Sequence, residues 1–231
     1  MKKDQKINKS INFDDFSSEY ENKLLKSFGK IDNNVSYYHS GKAKIAKREL
    51  AYSPNKILDF GCGIGSMLKF LKKNFDQSKF YAYDESKKSL EILKSLYPDV
   101  KCVYNLDTIE KFDLIILSNV VHHIKSIDRN NVFKKIYKLL NDKGRILIYE
   151  HNPYNPITLK IVANCEFDTD AELITKKNLV KLCIKNNFEL EKSGYIHFFP
   201  SKLKILFNLE RYLKWLFLGA QYFCIFSKKT L

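Results

Sequence analysis

From position 56 onward, apolar residues fall in short clusters that alternate with stretches of helical period. Lys56 to Phe60 (KILDF) predicts a first strand, and Ser66 to Phe75, with Met67, Leu68, Phe70 and Leu71, predicts a helix. Lys79 to Tyr83 predicts a second strand; Ser86 to Leu96 predicts a helix that Tyr97-Pro98 stops. Val100 to Tyr104 reads as a short third strand. Phe112 to Ser118 (FDLIILS) is a continuous apolar run, as expected of a strand covered on both faces. Asp128 to Leu140 predicts a helix ended by Asn141-Asp142-Lys143-Gly144, and Arg145 to Glu150 a fifth strand. This alternation predicts an α/β fold, a doubly wound, Rossmann-like and mainly parallel sheet flanked by helices.

The flanks differ. Residues 1–50 carry no strand pattern. Phe13, Phe16, Tyr20, Leu24 and Leu25 have helical spacing, which predicts a helical cap packed over the mouth of the sheet. Residues 51–231 form the main domain. Short helices are expected over Ile157–Asn164 and Lys176–Asn186, a strand over Phe188–Phe198, and a last, antiparallel strand over Gln221–Ser227. Between these strands a helical insertion is expected near 202–218. Leu206, Leu209, Leu213 and Leu216 fall on one face of it, and Lys204, Asn208 and Arg211 on another. So many large apolar residues need a destination: a lid over an apolar acceptor, packing against the N-terminal helices, or a membrane surface.

Composition narrows the class. With 231 residues, 45% of them hydrophobic, the chain is long enough for one α/β domain with a sizeable core. Met1 to Ser10 is polar and lysine-rich, so a secretory leader is not expected, and no apolar run predicts a spanning helix. The five cysteines are odd in number and form no C-x-x-C pair, which reads as reduced thiols in a cytoplasmic protein, with no metal expected. The formal charge is +14, but arginine occurs only at Arg48, Arg129, Arg145 and Arg211 and the lysines are scattered. Nucleic-acid binding is therefore not expected.

The chemistry concentrates at Ile57 to Gly65 (ILDFGCGIG). Three alternating glycines allow a tight turn and a close ligand approach. Asp84 ends the second strand, where a carboxylate can accept ribose hydroxyls. Asn105-Leu106-Asp107 follows the third, where Leu106 can press on an adenine face and Asp107 accept from its amine.

Those blocks, with Phe80 to Ser86 (FYAYDES), Asp113 to Ile124 (DLIILSNVVHHI) and Leu140 to Glu150 (LNDKGRILIYE), resemble the class I S-adenosylmethionine-dependent methyltransferases over roughly residues 50 to 150. The resemblance implies S-adenosylmethionine as cofactor. Asp59, Gly61, Cys62, Gly63, Gly65, Asp84, Glu85, Leu106, Asp107, Ser118, Asn119 and Tyr38 form the expected cofactor-binding set. A nicotinamide-binding domain is the competitor. Its G-x-G-x-x-G fingerprint fails here because Gly65 comes one residue early, and Asp59 would repel a pyrophosphate.

Methyl transfer from a sulfonium asks mainly for alignment, and for a base only if the acceptor must lose a proton. His123 and His151 are the catalytic candidates, at the carboxyl ends of the fourth and fifth strands. His122, Glu150, Asn152, Tyr154 and Asn155 are the acceptor-binding candidates. The acidic stretch Glu166–Glu172 reads as a solvated loop, with contact to a cationic acceptor as the alternative. The run His151–Leu173 with Leu218–Tyr222 resembles bacterial methyltransferases of glycan and lipid-linked sugar assembly. The expected function is methylation of a small-molecule acceptor, a sugar, quinone-like or lipid-linked compound. The alternatives are a donor-binding module without catalysis and an RNA methyltransferase.

Overall fold

The computed structural model describes residues 14, 20–29, 31–50, 52–107 and 110–229. Two helices, α1 (Tyr20–Phe28) and α2 (Val35–Glu49), precede β1 (Lys56–Phe60). The chain then runs α3 (Leu68–Asn74), β2 (Lys79–Tyr83), α4 (Lys87–Leu96), β3 (Lys101–Cys102), β4 (Phe112–Ser118), α5 (Arg129–Leu139) and β5 (Leu140–His151). It ends with α6 (Pro156–Ala163), α7 (Lys176–Lys185), β6 (Phe188–Ile196), α8 (Glu210–Leu213) and β7 (Gln221–Lys228). The helix starts are written in the sequence: Ser86, Asn155 and Thr175 cap α4, α6 and α7 by accepting backbone N–H bonds, with Pro156 at the first position of α6.

The seven strands form one sheet in the order β3-β2-β1-β4-β5-β7-β6. The pairs among β1 to β5 are parallel, and β7 is antiparallel to both β5 and β6, as the sequence predicts. Alternation along each strand builds two cores. Ile57, Leu114, Ile116, Leu147 and Tyr149 pack on the face covered by α2, α3 and α4. Leu58, Ile115, Leu117, Ile146 and Ile148 pack on the face covered by α5 and α7. The second N-terminal helix, α2, is part of the first core, through Ala43, Ile45 and Ala46. Phe13 and Phe16, and the side chain of Tyr20, lie outside the described residues.

Two expectations need correction. The third strand is reduced to Lys101–Cys102, because only Tyr81 and Ala82 of β2 pair with it. The single helix over 202–218 does not form. A 3₁₀ stretch, Ser201–Leu209, is broken by non-helical backbone at Leu203 and passes into the one-turn α8. A continuous helix there would run about 25 Å straight. Instead the segment is pinned at separate points. Asp32 accepts from the backbone N–H and the hydroxyl of Ser201. The buried Glu210 carboxylate accepts from the N–H groups of His197, Phe198 and Phe199. Lys214 pairs with Glu49 at 3.0 Å, and its carbonyl accepts from Tyr195 N–H.

Candidate active site

The glycine turn stands at the carboxyl end of β1. Gly61, Gly63 and Gly65 have φ of +73°, +53° and +85°, left-handed values that glycine alone adopts without strain. The N–H groups of Gly61 and Cys62 both donate to Tyr83 O, at 2.7 and 3.1 Å, so the turn is tied to the end of β2. Asp84 braces the same turn: its carboxylate accepts from Gly63 N–H at 2.7 Å and Ser86 N–H at 2.9 Å. A Cβ at Gly61 would meet Val120 Cγ2 at 2.5 Å, whereas one at Gly63 would meet nothing within 4 Å. Gly63 thus presents bare backbone to open space beside a carboxylate. Asp59 is buried behind the turn; burial and the nearby Asp84 raise its pKa to about 7, against the pull of Lys42.

These features fit a sulfonium nucleoside. Two carboxylates flank the turn, none of the four arginines belongs to it, and a diphosphate would meet like charge. Glu85 is exposed beyond Asp84, and Cys62 is buried with its thiol on Gly63 O. Leu106 packs against the second core. Asp107 lines a separate open depression with Lys101, Tyr104 and Glu110, its N–H held by Asn105.

A cavity of about 230 Å³ opens at the carboxyl ends of β4 and β5. All five histidines of the chain, His39, His122, His123, His151 and His197, line it. Its other wall is apolar, from Leu24, Phe28, Ile31, Ile161, Phe198 and Phe199. Ser118 and Asn119 also line it, and the following residue, Val120, packs on Gly61. The strand end therefore separates turn and cavity by a single backbone step. Asn119 holds a left-handed φ of 61°, and its N–H donates to Tyr149 O at 2.9 Å.

Glu150 is fully buried and organises the floor. It accepts from Val121 N–H at 2.7 Å and from the His122 imidazole (Nδ1) at 2.6 Å. Burial alone would lower His122, but the Glu150 and Asp168 carboxylates hold its pKa up, at about 9. Burial would raise Glu150 and Asp168, yet the same imidazolium draws each down to about 2. Burial and His122 push His123 to about 4 and His151 to about 3. Both are neutral at pH 7 and weakly basic.

The acceptor-binding candidates divide. His122 is a fixed partner of Glu150. Asn152 is buried and spends its amide on the carbonyls of Phe217 and Gly219, at 2.7 and 2.8 Å, so it anchors a loop. Asn155 caps α6, binds Leu218 O and lines the cavity. Tyr154 is exposed and does not line the cavity. Tyr38 lines the cavity with its hydroxyl on Asp32 at 2.7 Å. The stretch Glu166–Glu172 is not simply a solvated loop, because Asp168 turns inward to His122 and His123.

Sequence reasoning missed Lys42, His39, His197, Asp168 and Gln221. Lys42 is 2% exposed and donates to Ser118 Oγ at 2.9 Å and Asn119 Oδ1 at 3.2 Å. Burial lowers its pKa to about 7 against the pull of Glu150 and Asp59. Gln221 links Asn119 Oδ1 to His151 Nδ1. A lysine among Gly41, Ala43, Ile45 and Ala46 on the buried side of α2 was an available signal for Lys42.

Comparison with known proteins agrees with this geometry. A methyltransferase domain model matches residues 58–146. The chain is 26% identical to an uncharacterized protein of Rickettsia prowazekii over 167 residues, covering 65% of this chain and 67% of that one. It is 27% identical to a demethylmenaquinone methyltransferase of Thermotoga maritima over 150 residues, covering 62% and 61%. The matches span about two thirds of those relatives' lengths. A TehB-like S-adenosylmethionine-dependent methyltransferase from Corynebacterium glutamicum shares the fold, with a TM-score of 0.61 at 20% identity, covering 94% of this chain and 98% of that one.

The matched segment, residues 58–146, is a methyltransferase domain, and the sheet has the fold of the S-adenosylmethionine-dependent methyltransferase from Corynebacterium glutamicum. S-adenosylmethionine is the methyl donor that this turn and this fold fit.

Proposed function

We propose that the chain methylates a small, largely apolar acceptor that carries one ionisable atom, of the quinol or lipid-linked kind. The carrying observation is the cavity: one wall aliphatic and aromatic, the other polar, and Asn119 a single step from the glycine turn. The name of the Thermotoga relative supports a quinone-like acceptor. A sugar acceptor fits the apolar wall less well.

The bound donor supplies an electrophilic methyl group for in-line displacement. This chain's residues do the rest. Gly63 and Asp84 hold the nucleoside, and buried Asp59 faces the positive charge. Asn119 and Gln221 fix the strand ends against each other. Phe28, Ile31, Phe198 and Phe199 exclude water and seat the acceptor, so that alignment replaces a bimolecular encounter. Lys42 takes the proton that the acceptor atom loses, because a base works best when its pKa lies near the operating pH. His123 and His151 are neutral hydrogen-bond partners for the acceptor.

The exposed apolar segment before β7 suits an apolar acceptor drawn from a bilayer. Ile205 is 85% exposed and Trp215 77%, with Leu209, Phe217 and Leu218 exposed in the same segment, and Tyr154 and Ile157 are exposed on either side of Asn155, which binds Leu218 O. Lys202, Lys204 and Arg211 stand exposed in the same segment. This combination fits an anionic lipid surface. Among the described residues no helix is long and apolar enough to cross a membrane.

The test is incubation of labelled donor with fractionated cell extract. Label in one apolar small molecule is the expected result. Label in RNA or protein, with none in that fraction, would overturn the reading.

A further inference from the structure

The cavity floor holds an arrangement that methyl transfer does not require. The 3₁₀ turn Val121–His123 points two consecutive imidazoles at one carboxylate from the turn Glu166–Asp168. His122 Nε2 lies 3.5 Å from Asp168 Oδ1, and His123 Nε2 lies 3.4 Å from the same oxygen. The three atoms all lie within 4.8 Å of one another. Two donors bound to a tetrahedral ion at 2.0–2.1 Å stand about 3.4 Å apart, so both contacts to Asp168 have the spacing of shared ligands.

The surroundings match as well. His122 Nε2 is enclosed, and besides Asp168 at 3.5 Å it meets no hydrogen-bond partner among the described residues. The other nitrogen of that ring is held by Glu150 at 2.6 Å, which fixes the ring and aims Nε2 at Asp168. A carboxylate behind a ligating histidine is the usual outer support of a metal site. All three ligand residues line the cavity, which supplies an entry path.

We infer that His122 Nε2, His123 Nε2 and Asp168 Oδ1 bind one divalent transition-metal ion of the zinc class, leaving a fourth position for a water or an acceptor oxygen. Two imidazoles and one carboxylate suit a borderline cation; magnesium prefers an all-oxygen shell. A protonated His122 and a metal ion are alternative occupants of the space between Glu150 and Asp168. Ion binding stands apart from methyl transfer, whereas the use of the ion to hold an acceptor oxygen rests on the function proposed above.

The test is titration of the chelator-treated chain with Zn²⁺ and with Mg²⁺, followed by calorimetry and elemental analysis. Co²⁺ absorption serves as a probe of coordination. One Zn²⁺ per chain is expected, with little Mg²⁺ binding and a visible Co²⁺ band. Asp168→Asn and His123→Gln should each weaken Zn²⁺ binding by roughly tenfold or more. S-adenosylhomocysteine binding to each variant checks that it is folded, since neither residue belongs to the glycine turn. Stoichiometric Zn²⁺ binding that Asp168→Asn leaves unchanged would overturn the site, as would no Zn²⁺ binding by the parent chain. Zn²⁺ binding by a chain that ignores the nucleoside would leave the metal site standing and remove the methyl-transfer reading.

Discussion

Lys42 Nζ lies 2.9 Å from Ser118 Oγ, so a charge-bearing side chain from the N-terminal cap reaches the last residue of the central strand β4. The contact joins the cap to the carboxyl end of the sheet. It also sets a pH dependence, because the lysine is fully enclosed and titrates near 7. Methyl transfer should rise with pH through about 7. Lys42→Met should lower the rate by roughly 100-fold and abolish that rise, read from single-turnover transfer of labelled methyl. A parallel pH profile in the variant would remove Lys42 from the proton path.

Stability carries the same signature with a definite sign. The folded pKa of Lys42 lies below its unfolded value, so burial costs stability in full below about pH 7. That cost fades as pH rises toward the unfolded value of about 10.4. Lys42→Met should therefore melt higher than the parent at pH 6, and the gap should narrow by pH 9. A gap independent of pH would show that the lysine stays charged in the fold.

Asp59 gives the opposite slope. Its folded pKa of about 7 lies above the unfolded value, so its protonated form stabilises the fold at low pH. That contribution is full below about pH 4 and is lost as pH rises to 7. Asp59→Asn should flatten this part of the melting curve and weaken S-adenosylmethionine more than S-adenosylhomocysteine, which lacks the positive sulfur. Equal weakening of the two, measured by calorimetry, would show that Asp59 does not sense that charge.

The glycines should separate folding from binding. A methyl at Gly61 meets Val120 Cγ2 at 2.5 Å, so Gly61→Ala should unfold the chain readily, with a loss of several kcal/mol. At Gly63 nothing lies within 4 Å, so Gly63→Ala should cost only the strain of positive φ, about 1 kcal/mol. It should nevertheless block the nucleoside. Thermal melts and donor titrations of the two variants provide the comparison; equal destabilisation would contradict it.

Trp215 is the only tryptophan in the chain and is exposed in the apolar segment before β7. Its emission should shift to the blue with phosphatidylglycerol vesicles and not with phosphatidylcholine vesicles. No shift with either would end the proposal of membrane contact.

Much of the fold was legible before any coordinates. Strand–helix alternation and the run FDLIILS specify the parallel sheet, and the glycine turn with Asp59 and Asp84 marks the proposed donor side, because these signals are local. The acceptor side is built from distant contacts. His39 on α2 and His197 after β6 meet at one cavity, and no periodicity couples them. Asp168 looked like part of a solvated acidic loop, and only the fold turns it toward His122. The segment near 202–218 has a helical apolar pattern, but the tethers from Asp32, Glu49 and Glu210 override it.

The decisive measurement is calorimetric titration of S-adenosylhomocysteine into the intact chain and into Asp84→Ala. One molecule per chain should bind the parent, and binding should fall by roughly tenfold or more in the variant, whose turn loses both its brace and its ribose acceptor. No heat from the folded parent, or an affinity untouched by the substitution, would contradict the assignment of this turn as the donor site.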